Sequence, residues 1–196
     1  MANHVYFNVT VDGDAECMKG FSSAMELTSV ERKHWNSEET YIVRELLDID
    51  KLKFMPEGTY DKDGYLEDSW NYYVENVGAK WCNVEDVEES YFSGYSAWSA
   101  PIEFVQKLHE YLYDHHDKNH SIKMTYEDEF RNFIGVAHYT NGEHDIDELL
   151  SEDLMEELRE TFGDAVDNED FWEGEYEEGD PSEVMDNIVW EWLDNN

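Results

Sequence analysis

The chain has 196 residues and carries 49 Asp and Glu against 13 Lys and Arg, a formal net charge of −36 at pH 7. Duplex DNA carries about two charges per base pair, so this charge matches roughly 18 base pairs, or about 60 Å of duplex. A compact chain of this length is only about 40 Å across. Coulomb repulsion therefore excludes direct binding of nucleic acid or of anionic membrane, and basic partners are favoured.

Hydrophobic residues make up 40% and aromatics 15% of the chain, enough to pack a core, which separates it from a solvating acidic tail. No apolar run reaches the ~18 residues of a transmembrane helix. The opening "MANHVYFNVTVDGD" lacks the basic and apolar regions of a secretory leader. The two cysteines, Cys17 and Cys82, have neither Cys-x-x-Cys spacing nor a disulfide framework. The expectation is a reduced, cytoplasmic protein with no cofactor.

In chain order, "HVYFNVTVDG" (His4 to Gly13) alternates apolar and polar residues and predicts a half-buried strand. "DAECMKGFSSAMEL" predicts a first helix with Asp14 at its N-cap. "ETYIVRELLDIDKLKFMPEG" suits either a strand or a helix. "SWNYYVENVGAKW" predicts a helical turn or more, broken at Gly78. "VEDVEESYFSGYSAW" predicts one strand centred on Tyr91 to Trp98. "SAPIEFVQKLHEYLYDHH" predicts a helix with Ile102, Val105, Leu108, His109 and Leu112 on one face, Ser99 as N-cap and Pro101 in the first turn. "SIKMTYEDEF" and "NFIGVAHYTNGE" predict a pair of strands, the second ending in the turn dipeptide Asn141-Gly142.

From Glu143 on, Arg159 is the only Lys or Arg, while acids recur at every second or third position. "DIDELLSEDLMEELRETFG" places Ile146, Leu149, Leu150, Leu154, Leu158 and Phe162 at helical spacing, and "PSEVMDNIVWEWLDNN" does the same with Val184, Ile188 and Trp192. Two amphipathic helices are expected there, joined by a loop or strand. The expected organisation is an α+β domain over residues 1–142 and an acidic helical extension over 143–196 packed on it.

Few motifs point to catalysis. Gly94-x-Ser96-x-Trp98 stops one residue short of a G-x-S-x-G elbow, and Ser96 lies in a strand rather than at a turn. His116 and His120, four apart, are weak candidate metal ligands with Asp114 or Asp117 beside them. "DGD" at 12–14 and "DKDG" at 61–64 are turns before they are calcium ligands. Cys82 beside Trp81 suggests a buried structural thiol. No enzyme is expected.

"GAKW" (Gly78 to Trp81), then "AWSAP" (Ala97 to Pro101) opening a helix, then "MTYEDEFRNFIGVAHYTNGE" resemble, in that order, the YubB-like family of phage and conjugative-plasmid proteins. "MANHV" resembles that family's start. The chain departs from the pattern at Ala100, where a second Pro is common, and in its acidic extension. The resemblance implies a ferredoxin-like antiparallel sheet with helices on one face over residues 1–142, and mobile-element ancestry. It supplies no catalytic residue.

The expected function is that of a phage or mobile-element accessory protein, an inhibitor acting in the host cytoplasm. By acidic DNA mimicry it would bind a basic nucleic-acid-binding host protein, such as a defence nuclease, a restriction or CRISPR complex, or a polymerase. The candidate binding surface comprises Asp164, Asp167, Glu169, Asp170, Glu173, Glu175, Glu177, Glu178, Asp180 and Glu183, with Phe171, Trp172 and Tyr176 as aromatic anchors. A homodimer is a candidate assembly. The alternative is a non-enzymatic accessory module whose acidity serves solubility or salt adaptation.

Overall fold

The computed structural model describes residues 3–26, 30–33, 40–43, 49–168, 170–174 and 176–196. Its centre is a six-stranded antiparallel sheet of order β4-β5-β1-β6-β7-β8. The strands are β1 (His4–Asp12), β4 (Cys82–Val87), β5 (Tyr91–Ala97), β6 (Ser121–Asp128), β7 (Phe133–Thr140) and β8 (Glu143–Leu150). A separate two-stranded ribbon pairs β2 (Val30–Lys33) with β3 (Thr40–Val43). The run that suited either strand or helix contributes β3 and a 3-10 turn at Ile49–Lys51. Its residues 44–48 lie outside the described residues.

Alternation in β1 decides which face is core. Val5, Phe7, Val9 and Val11 are buried and point to one side, joined by Ile122, Met124 and Tyr126 of β6 and by Ala137 and Tyr139 of β7. Three helices cover this face: α1 (Ala15–Ala24), α2 (Ser69–Asn76) and α3 (Ile102–His115). Asp14 caps α1 as its sequence predicts, accepting hydrogen bonds from the Glu16 and Cys17 amides at 2.8 and 2.9 Å. Helix α3 buries Phe104, Val105, Leu108, His109 and Leu112. Its N-cap is Pro101, not Ser99. The Ser99 hydroxyl donates instead to the Gly78 carbonyl at 2.6 Å, tying the start of α3 to the end of α2.

Residues 82–97 form a hairpin of two strands where the sequence pattern suggests one. A register shift between Val84 and Asp86 breaks the alternation of β4 and hides it. Gly94 of β5 is required there, because a Cβ would stand 2.0 Å from the Asn83 carbonyl oxygen.

The Asn141-Gly142 turn has φ of 55° and 82°, the left-handed pair of a tight hairpin. It returns the chain along β7, so residues 143–150 are strand β8 rather than the first turns of a helix. The apolar run expected to be one helix is thus divided, and a boundary at 142 falls inside the sheet. β8 is an edge strand whose side chains are exposed except Leu149.

Helices α4 (Ser151–Phe162) and α5 (Pro181–Asn195) follow. They pack on the opposite face of the sheet, where Ile134 and Leu149 meet Leu154, Val189 and Met185. Leu158, Phe162, Val166 and Phe171 form a further cluster beneath the acidic segment.

Candidate binding surface

Helix α5 packs over β7, beside β6, and is pinned at both ends. The buried Asp128 carboxylate accepts from the Phe130 amide at 3.1 Å and from the Asn132 side chain at 2.5 Å. This shapes a turn in which Arg131 takes φ of 54°. Arg131 then bridges Glu127 at 2.7 Å and Asp186 of α5 at 2.6 Å. At the other end Lys123 donates to the Leu193 carbonyl at 3.3 Å, and His138 meets the Asn196 carbonyl at 2.6 Å. Cationic and polar side chains at a helix C-terminus satisfy its orphan carbonyls.

Because α4 and α5 cover the β6–β8 side, no described helix or strand covers the β4–β5–β1 half of this face. Outward positions there carry rings: His4 and Tyr6 on β1, Tyr91 and Tyr95 on β5, with Trp81 just before β4. A depression of about 520 Å³ is lined by His4, Tyr6, Trp81, Asn83, Glu85 and Tyr95. It continues past Tyr6 and Asn8 to a second of about 360 Å³, walled by Asp186, Trp190 and Leu193 of α5. Tyr6 is 52% and Trp190 66% exposed. None of these residues is a candidate binding residue in the sequence, where Trp81 and His4 figure only within "GAKW" and "MANHV". The available signal is the β1 pattern, in which His and Tyr fill outward positions that usually carry small polar residues.

The described residues of the acidic segment rest on an apolar cluster. Asp164, Asp167, Asp170, Glu173, Glu177, Glu178, Asp180 and Glu183 are all exposed, while Glu169 and Glu175 lie outside the described residues. Two of the acids have local duties. Asp180 caps α5 by accepting from the Ser182 amide at 2.8 Å, and Asp167 accepts from Arg159 at 2.8 Å. The three aromatics divide. Trp172 is 45% exposed, and Tyr176 is half-buried. Phe171 is 1% exposed, packed edge-on against Phe162 at 5.3 Å, so it is a core residue and not a surface anchor.

The histidine expectation changes as well. Helix α3 ends at His115, so His116 and His120 do not share a helical face. His120 is buried and faces His109, with His109 Nδ1 to His120 Nε2 at 2.8 Å. The Gly142 amide donates to His109 Nε2 at 3.0 Å. That places the His109 proton on Nδ1, donated to His120, whose own Nδ1 then donates to the Asp117 carbonyl. Burial, then the neighbouring His120, lower the His109 pKa to about 4. Among the described residues no three His, Cys, Asp or Glu converge as a metal site.

The serine is structural. Ser96 is buried and its hydroxyl donates to the Ser99 carbonyl at 2.6 Å. Cys82 is buried and its thiol is pushed far up by desolvation, while Cys17 is raised to about 11 by burial and by nearby Asp117. Neither is a reactive thiolate. At 61–64, Asp61 accepts from the Asp63 and Tyr65 amides, both at 2.9 Å, which makes a local turn. Among the described residues no helix is long and apolar enough to cross a membrane.

No family model, no curated protein and no solved structure matches this chain.

Proposed function

We propose that the protein is a non-enzymatic inhibitor that binds a basic nucleic-acid-binding protein of a host cell by presenting carboxylates in place of phosphates. One observation carries the reading. The exposed acids of residues 164–183 stand on a folded frame with its own apolar cluster of Leu158, Phe162, Val166 and Phe171. A solvating tail needs no such frame, whereas a surface that must fit a basic groove does. The acids supply long-range steering, and Trp172 supplies exposed apolar area beside them.

The likeness to YubB-like proteins supports a mobile-element origin, with defence nucleases, restriction or CRISPR complexes and polymerases as the target class and the host cytoplasm as the place of action. The order β4-β5-β1-β6, with α1 and α3 as the two crossover helices on one face, supports a ferredoxin-like core. In this reading β7 and β8 extend that core at one edge.

Affinity capture of the tagged protein from a host lysate at low salt, followed by a salt gradient, tests the reading. One nucleic-acid-binding complex is expected to outlast generic basic proteins and to be displaced by added DNA. A mixed set of ribosomal and other basic proteins leaving together at modest salt would sink the proposal and leave the acidity as a solubility or salt adaptation.

A further inference from the structure

The open half of the sheet has a distinct chemistry. Four rings, His4, Tyr6, Trp81 and Tyr95, meet with centroids 5.4–6.4 Å apart and largely edge-to-face. They touch one another, so they make a floor and not a cage. The rims are acidic: Glu85 borders one side, and Glu129 reaches to 3.5 Å from His4. Of the cations at the α5 wall, Arg131 is already held by Glu127 and Asp186, and Lys123 donates to the Leu193 carbonyl. Aromatic sheet faces also stack single-stranded bases, but such sites pair their rings with a positive groove, and this one is negative.

We propose that this groove is a docking site for an arginine-bearing extended segment of the basic partner, with Tyr6 and Trp190 as its stacking surfaces. The proposal deepens the inhibitor reading and rests on its premise of a basic partner. A guanidinium is planar and weakly hydrated, so it stacks on an open aromatic floor while its N–H groups reach a rim carboxylate such as Glu85. A lysine ammonium is compact and strongly hydrated, and gains less from a floor that does not enclose it. Charge complementarity therefore selects a cationic occupant, and an aromatic floor that is open and does not enclose it favours the planar guanidinium of arginine.

The test titrates the full chain with acetylated hexa-arginine and hexa-lysine peptides at low salt, following the indole N–H signals of Trp81 and Trp190 by NMR. The arginine peptide is expected to shift both signals and to bind about tenfold more tightly than the lysine peptide. The double variant Tyr6→Ala, Trp190→Ala is expected to lose that preference, Trp190→Phe to keep most of it, and Trp172→Ala to leave it intact. Both target side chains are half-exposed or more, so a melting curve verifies that the double variant folds.

Equal affinity for the two peptides, shifts confined to Trp172, or a preference that survives the double variant would each overturn the site. So would tight binding of a uridine-rich RNA oligomer to the same floor. Those outcomes leave the captured partner untouched, whereas failure of the lysate capture overturns the parent reading independently.

Discussion

The pair His109–His120 shows how one residue's chemistry is fixed by its surroundings. His109 accepts at Nε2 from Gly142 and donates at Nδ1 to His120, so its neutral form uses both nitrogens. A second proton on Nε2 would face the Gly142 N–H. The folded pKa of about 4 lies below the unfolded 6.5. The unfolded chain therefore binds the extra proton first. This contribution is fully present above the unfolded value and is lost as pH falls toward the folded one. The expected loss across that window is on the order of a few kcal/mol. Denaturant titrations of the wild type and of His109→Gln between those pH values check it. The variant should be less stable at neutral pH and the gap to the wild type should close as pH falls across the window, and a parallel slope in both proteins would refute the assignment. His109 itself is legible in the sequence as part of the α3 apolar face. Its partners are not, because His120 and Gly142 reach it only through tertiary placement.

Among the elements, α5 depends on a short chain of causes. Asp128 shapes a turn, the turn puts Arg131 in a left-handed conformation, and Arg131 reaches Asp186. Arg131→Ala should therefore cost about 1–2 kcal/mol and raise amide exchange in the first turns of α5 without affecting β1. Exchange mass spectrometry showing uniform change across the sheet would contradict this. The element scale also shows where sequence pattern misleads. Ile146, Leu149, Leu150, Leu154 and Leu158 are spaced as a helix face, yet the first three belong to β8. The decisive local signal is Asn141-Gly142, whose positive φ values demand an immediate antiparallel return. β4 escapes detection for the converse reason, since its bulge shifts the alternation after Val84. β1, α1, α3, β6 and α5 are legible because each keeps one period throughout, and β7 because the Asn141-Gly142 turn closes an apolar run buried on both faces. Phe171 marks another limit. An aromatic among acids has the same sequence signature whether it anchors a partner or a core, and only the neighbouring Phe162 and Tyr176 rings settle that it is core.

For the whole molecule, a net charge of −36 on one folded chain makes self-repulsion a standing cost of compactness. Salt screens it over about 10 Å at 0.1 M, a distance that spans neighbouring exposed carboxylates. The melting midpoint should rise by at least about 5 °C between ~20 mM and ~300 mM sodium chloride. A midpoint that stays flat by scanning calorimetry would mean the acids are already compensated. The same field makes the open aromatic groove a place where cations concentrate, so its residues and the charge act together although they are far apart in sequence. Composition alone discloses the charge. The groove emerges only from the sheet order and from where α5 comes to rest.

The edge strand β8 has one more consequence. Along it stand Glu143, Asp145, Asp147 and Glu148, beside backbone groups with no strand beyond them among the described residues. An edge of this kind is an invitation to templated growth, in which one molecule recruits the next. Here any antiparallel mate of the same sequence would bring carboxylate rows face to face. Like charges set opposite one another in this way oppose the growth of the sheet by a second copy at that border.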